Sequence, residues 1–265
     1  MAKLKKISFL CLSLMTIACH QKQSTTDNLQ VDKDPYGQPY YTGNLDGIKM
    51  KLGSEMEYID YEICPIEEKN SKCKPRPERT YDSRFSKFTF TLYYPTDLLL
   101  VNYRDDPINH STKKYDTEKY DTNNQWVDVS VAFNKYVQAG YLKDILHNQT
   151  KEPLGKYDYV NTYVKTSEHI YGLQKYKPHP RWSESYGSKN TQDLYVGYND
   201  KGDVSTLIIC RIWSPYFNAR RCNQQFILSE DTHVNIDASY QTVHLKDWQT
   251  IQSKVLQQIN YLKVL

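Results

Sequence analysis

The chain has 265 residues, 34 of them basic and 31 acidic, for a formal charge of +3. Its first 18 residues hold three lysines and no acid, so the rest carries 31 charges of each sign. That balance excludes a general nucleic-acid or polyanion binder, which needs a clustered surplus of Lys and Arg.

In chain order, Lys3, Lys5 and Lys6 form a positive start, and Ile7 to Ala18 is an apolar run. The run is too short to cross a hydrocarbon core of about 30 Å as a permanent helix. The order charge, apolar run, small residue is that of a secretory signal peptide over 1–18. Thr16-Ile17-Ala18-Cys19 resembles the lipobox of bacterial lipoproteins, with Thr16 where leucine is commonest. The resemblance implies cleavage before Cys19 and lipid on its thiol and new amine. His20 follows where inner-membrane retention uses Asp, which implies the outer membrane, facing the periplasm. Acyl chains contribute about 0.8 kcal/mol per buried methylene, so two or three on Cys19 suffice as a membrane anchor. Residues 19–43 are polar and aperiodic, the composition of a flexible tether.

The body, 44–265, alternates apolar and polar residues at period two in several places. Ile48, Met50 and Leu52 begin it, then Phe88, Phe90, Leu92 and Tyr94, closed by Pro95. Val127, Val129, Val131 and Phe133 make a third run. A helix is expected over Tyr136 to Leu146, weakened by Gly140. Leu194–Tyr198 and Val204–Cys210 flank Asn199-Asp200-Lys201-Gly202-Asp203, a hairpin signal. Val234, Ile236, Ala238 and Tyr240 are the last strand. Leu245, Trp248, Ile251, Val255, Ile259 and Leu262 recur at three or four residues, one apolar stripe of a C-terminal amphipathic helix. The expected class is α+β with mostly antiparallel sheet. The stretches "FTFTLYYPTDLLL" and "VNIDASYQTVHLKDW" share an alternating strand, a tyrosine and a following leucine. They raise two related lobes, about 44–185 and 186–265. The 24 tyrosines suit half-buried β-surface and also protein interfaces.

Once Cys11 is cut away and Cys19 lipidated, Cys64, Cys73, Cys210 and Cys222 remain. An even count in an exported chain supports disulfides. Three connectivities are open; Cys64–Cys73 and Cys210–Cys222 are favoured because each closes a short loop. No C-x-x-C and no H-x-x-x-H occurs, so no metal site is expected. Neither a G-x-S-x-G elbow nor a phosphate-binding glycine loop occurs. The adjacent acids Glu67-Glu68 and Asp105-Asp106 read as solvated charge. No catalytic residue and no cofactor is assigned. Triads assemble from distant sequence, so an envelope hydrolase stays an alternative, as does a structural or assembly lipoprotein of an envelope complex.

Two loops suit recognition. "KYKPHPRW", 175–182, combines His179, Arg181 and Trp182 with Pro178 and Pro180, which stiffen the loop and lower the entropy lost on docking; Arg and Trp are frequent hot-spot residues. "EEKNSKCKPRPERTYD" is charged and carries Cys73. Finally, "GNLDGIKMKLG" (43–53), "PERTYDSRFSKFTFTLYYPTD" (77–97) and "RCNQQFILSEDTHVNIDASYQTVHLKDWQTIQSKVLQQI" (221–259) resemble proteobacterial immunity lipoproteins linked to type VI secretion. That resemblance implies a protein that binds a cognate secreted toxin in the periplasm and occludes its active site. The toxin is expected to be of phospholipase type before cell-wall hydrolase, with no nucleic-acid partner and no enzymatic activity of its own.

Overall fold

Asp46 and Gly47 both take positive φ, 52° and 82°. That is the turn that matches the twist of a two-residue hairpin. It joins β1 (Tyr41–Leu45) to β2 (Ile48–Leu52), paired as a separate two-stranded sheet. In the computed structural model the described residues are 32–61, 79–101, 110–151, 162–181, 192–211 and 220–264. Cys11, Cys19, Cys64, Cys73, Trp182, both adjacent acid pairs and the signal segment lie outside them.

The chain continues through β3 (Met56–Tyr61), β4 (Phe85–Tyr93), β5 (Leu98–Leu99), α1 (Ser111–Glu118), β6 (Trp126–Phe133) and α2 (Tyr141–Thr150). Then follow β7 (Tyr163–Ile170), β8 (Leu173–Pro178), β9 (Gln192–Tyr198), β10 (Val204–Arg211), β11 (Arg221–Ile227), β12 (Val234–Gln241) and α3 (Trp248–Tyr261). Ten of these strands form one sheet, ordered β3-β4-β6-β12-β11-β10-β9-β8-β7, with β5 also on β4. Every pairing of named strands is antiparallel. The fold is α+β, mostly antiparallel, with a C-terminal helix. The two similar stretches fall in β4 and β12, on either side of β6 in the same sheet.

One face of the sheet is the main core. Phe88, Phe90 and Leu92, then Val127, Val129 and Val131, are buried there, facing Ile251, Val255 and Ile259 of α3. Each such side chain contributes about 1.5–3 kcal/mol by leaving water. The β1–β2 hairpin covers the same core with Leu45, Met50 and Leu52. Lys51 N–H donates to Leu262 O and Val264 N–H to Lys49 O, both at 2.9 Å, fastening β2 to the end of α3. A polar group buried on this face is satisfied: Gln224 donates to Gln252 Oε1 at 2.9 Å and accepts from Tyr240 OH at 3.0 Å. Without those bonds its burial would cost about 1–3 kcal/mol. Cys210 and Cys222 stand opposite each other in β10 and β11 and are disulfide-bonded, with Cα atoms 4.0 Å apart.

Three sequence expectations change. The helix expected over 136–146 begins at Tyr141, because Gly140 takes φ 85° and ends the preceding turn. The apolar stripe from Leu245 starts in a 3₁₀ turn, Thr242–Asp247, and becomes α-helical at Trp248. The stretch 175–182 starts as strand rather than loop: Lys175–Pro178 belong to β8, with Tyr176 to Pro178 paired to β7 and Lys175 to β9. Pro178 is tolerated there because its missing N–H is on the β9 side, where pairing ends at Tyr176, while the ladder to β7 continues through the His179 N–H.

Candidate interaction face

Among the described residues, the opposite face of the sheet is covered only in part. At one end α1 sits over β4 and β6: the Tyr115 ring meets Trp126 edge-on at 5.4 Å, and Trp126 Nε1–H donates to Glu118 at 3.2 Å. On the other side α2 packs Leu142 against Leu194, Val196 and Leu207, a second apolar cluster. Between them β4, β6, β12 and β11 present polar side chains, and this stretch has neither helix over it.

The pleat explains the composition of that stretch. Valines of β6 alternate with Asp128 and Ser130, and apolar residues of β12 alternate with Asp237 and Ser239. Because side chains alternate at period two, the apolar set that serves the core forces the polar set outward. Each strand carries an Asp-x-Ser pair, and the antiparallel register sets Asp128 opposite Ser239 and Ser130 opposite Asp237. Extending the row through β4 and β3 brings Thr89 and then Tyr58 alongside. Tyr58 is 52% exposed.

Charge on this face is arranged around one ion pair. Arg221 Nη2 donates to Asp128 Oδ2 and to Ser239 O (2.9 Å), and its Nε donates to Ser239 Oγ at 3.0 Å. The Thr91 hydroxyl lies between two carboxylates, 2.5 Å from Glu57 Oε1 and 3.1 Å from Asp128 Oδ1. Asp237 accepts from Asn235 Nδ2 at 3.1 Å. Crowding by the surrounding protein raises the Asp237 pKa above the ordinary carboxylate value, opposed by the Asn235 bond and the more distant Lys87. Neither Glu57 nor Asp237 forms an ion pair among the described residues.

Two tyrosines stand at the borders. Burial raises the pKa of Tyr115, and the Asp128 and Glu57 carboxylates add to it. Burial likewise raises Tyr141, whose hydroxyl accepts from Asn134 Nδ2 at 3.3 Å. Both phenols therefore stay neutral and able to donate, each with apolar surface and one hydroxyl to offer a partner.

The residues proposed from sequence lie elsewhere. His179 follows β8, half-buried, with its N–H donating to Thr162 O at 2.8 Å, and its Nδ1 accepts from the Arg181 N–H at 3.3 Å. Arg181 is exposed. They sit beyond the β7–β8 end of the sheet, far along the strand order from Asp128 and Asp237. Glu57, Asp128, Arg221 and Asp237 escaped sequence reasoning because they come from four strands spread over 180 residues of chain. The legible signal was the repeated Asp-x-Ser at the polar positions of two separate strands.

Among the described residues no group of His, Cys, Asp and Glu is placed to hold a metal ion. No described helix is long and apolar enough to cross a membrane. No family model matches the chain, and no curated protein matches it. Among solved structures, it is similar to Smlt3025, an immunity protein of the Stenotrophomonas maltophilia type IV secretion system. The TM-score is 0.54 at 15% identity, over 89% of this chain and 100% of that one. At that identity the likeness is one of fold, and it covers the described body rather than a single motif.

Proposed function

We propose that this protein is an immunity factor that binds and neutralises a toxin delivered by a secretion system. The carrying observation is that the fold likeness spans the whole of a secretion-system immunity protein. The open sheet face supports the reading, since it joins neutral tyrosines, a fixed ion pair and unmatched carboxylates on rigid strands. A specific stable complex of this kind typically buries about 1,200–2,000 Å², enough to occlude an active-site cleft. The sequence resemblance directs the finer reading. The toxin arrives through type VI secretion and is of phospholipase type ahead of cell-wall hydrolase. The inhibitor waits in the periplasm, held at the outer membrane by lipid on Cys19.

The test is genetic and then biochemical. The toxin candidate is the product of the gene adjacent to this one, exported to the periplasm of a sensitive host. Co-expression of the full chain should restore growth, and the two proteins should co-purify. Growth arrest unchanged by this chain, together with no complex, refutes the immunity reading. The anchor is tested separately. Cys19→Ala should move the protein from the membrane fraction to the soluble periplasmic fraction, and continued membrane association of that variant refutes the lipid assignment.

A further inference from the structure

The open face carries an imbalance that the rest of the sheet does not explain. Asp60 of β3 and Lys87 of β4 stand opposite each other, whereas Glu57 and Asp237 form no ion pair among the described residues and are on β3 and β12, separated by β4 and β6. Three strand spacings put them roughly 14 Å apart. Asp128, between them, already has Arg221 as its partner. Glu57 and Asp237 each have a single side-chain hydrogen bond on this face among the described residues, Glu57 from the Thr91 hydroxyl and Asp237 from the Asn235 amide. Asp237 is exposed, so its carboxylate is open to a partner.

We propose that this face is the toxin-docking surface and receives a protruding segment bearing two basic side chains, one seated on Asp237 and one on Glu57. The proposal rests on the immunity reading and names the site and chemistry of the partner. An extended segment laid across the strands brings residues i and i+4 to one side about 13–14 Å apart, which matches the carboxylate separation. Arg suits both seats, because its planar fork can pair with a carboxylate and still lie against a ring. Tyr141 borders the Asp237 end, and Tyr58 and Tyr115 border the Glu57 end; each offers apolar contact beside the charge. The Asp128–Arg221 pair acts as a gauge, since a partner cation set one row away meets Arg221 and is repelled.

The floor spans four strands and about four residues along each, on the order of 200 Å² by strand geometry. It therefore takes one inserted segment rather than a whole interface of standard size, and the remaining area comes from the rims. A second copy of this chain is a poorer occupant. Two such faces meeting would place Glu57 and Asp237 of each copy against carboxylates of the other, and like charges in juxtaposition oppose association.

The experiment measures binding of a catalytically inactivated product of the adjacent gene to the full chain and to four variants. Asp237→Asn keeps the side-chain shape and removes the charge; Asp237→Arg and Glu57→Arg reverse it. The double variant His179→Ala/Arg181→Ala probes the β8 end instead. The expected result is a Kd about 10-fold weaker for Asp237→Asn and about 100-fold weaker or more for either reversal. The His179/Arg181 variant should match wild type, and all variants should melt within a few degrees of it. Hydrogen exchange should show new protection over 126–133 and 234–241 in the complex. Wild-type binding with all Asp237 and Glu57 variants unaffected overturns this site and leaves the immunity reading standing. Loss confined to the His179/Arg181 variant places docking at the β8 end and overturns it equally. No binding by wild type overturns both readings. A concentration-dependent dimer abolished by Asp237→Arg assigns the face to self-association and overturns the toxin site.

Discussion

Replacing Trp248 with alanine is expected to lower unfolding stability by about 3–5 kcal/mol, the range for removing a buried large aromatic side chain. The indole is 6% exposed and starts α3, over the strands β8 to β10. Its seat is carved by a glycine: a Cβ on Gly197 would approach the Trp248 Cη2 to 3.1 Å and Thr206 Cγ2 to 2.6 Å. Its Nε1–H donates to Tyr171 O at 3.0 Å, tying the helix start to the β7–β8 turn. Truncation thus leaves a hollow next to a residue that has no side chain to fill it. For a body of this size the melting temperature should drop roughly 6–20 °C, at 2–4 °C per kcal/mol. Trp248→Phe keeps most of the packing and loses the hydrogen bond. Because Tyr171 is exposed, water can replace that donor, and the cost should be nearer 1 kcal/mol. Urea unfolding of both variants checks the ordering. Equal midpoints for Trp248→Ala and wild type would show that α3 is not anchored by this contact.

The second large effect is expected from the disulfide. Cys210→Ala/Cys222→Ala should cost about 3 kcal/mol, since the bond closes a loop with a sequence separation of 12 and restricts the unfolded chain. Both cysteines are fully buried on the core face, next to the strands that α3 covers. A reductant should therefore leave the bond intact in the native state and attack it once the sheet opens, because exchange needs access to the sulfur. The urea midpoint of the double variant and the rate of thiol release with and without denaturant test both statements. An unchanged midpoint would remove the bond from the list of stabilising features. Fast thiol release under native conditions would show that β10 and β11 part far more readily than their burial implies.

Binding loss and stability loss are separable by position. Trp248 and the disulfide serve the α3 face, whereas Glu57 and Asp237 occupy the opposite one. On the proposed immunity role, changes at the first pair should lower partner binding only by unfolding the protein, and changes at the second should lower it in a protein that still melts normally.

Much of this fold could be read from residue spacing. Val127, Val129 and Val131 mark β6, Val234, Ile236 and Ala238 mark β12, and Trp248, Ile251, Val255 and Ile259 mark α3, because an apolar face must repeat at the period of its element. The hairpin at Gly202, with φ 83°, was equally visible. Less visible were α1, whose residues STKKYDTE lack an apolar stripe, and β7, whose pattern is mostly exposed. Those segments form through neighbours: α1 by setting Tyr115 edge-on to Trp126, and β7 by pairing with β8. The chain's own text also set the neutral charge of everything after residue 18 and the expectation of a lipid anchor at Cys19.

What the sequence could not determine is which polar stripe would be left open. Alternation assigns Asp128 and Ser130 to one side of β6 and Asp237 and Ser239 to one side of β12, but says nothing about what covers that side. Only the tertiary structure pairs β6 with β12 across about a hundred residues, adds Glu57 through β4, brings Arg221 over from β11, and places α1 and α2 to either side of the result. The physical reason is that periodicity is a local property of the chain, whereas strand partners are chosen by the burial of the opposite, apolar face. The core under α3 decided the register, and the register assembled the polar face.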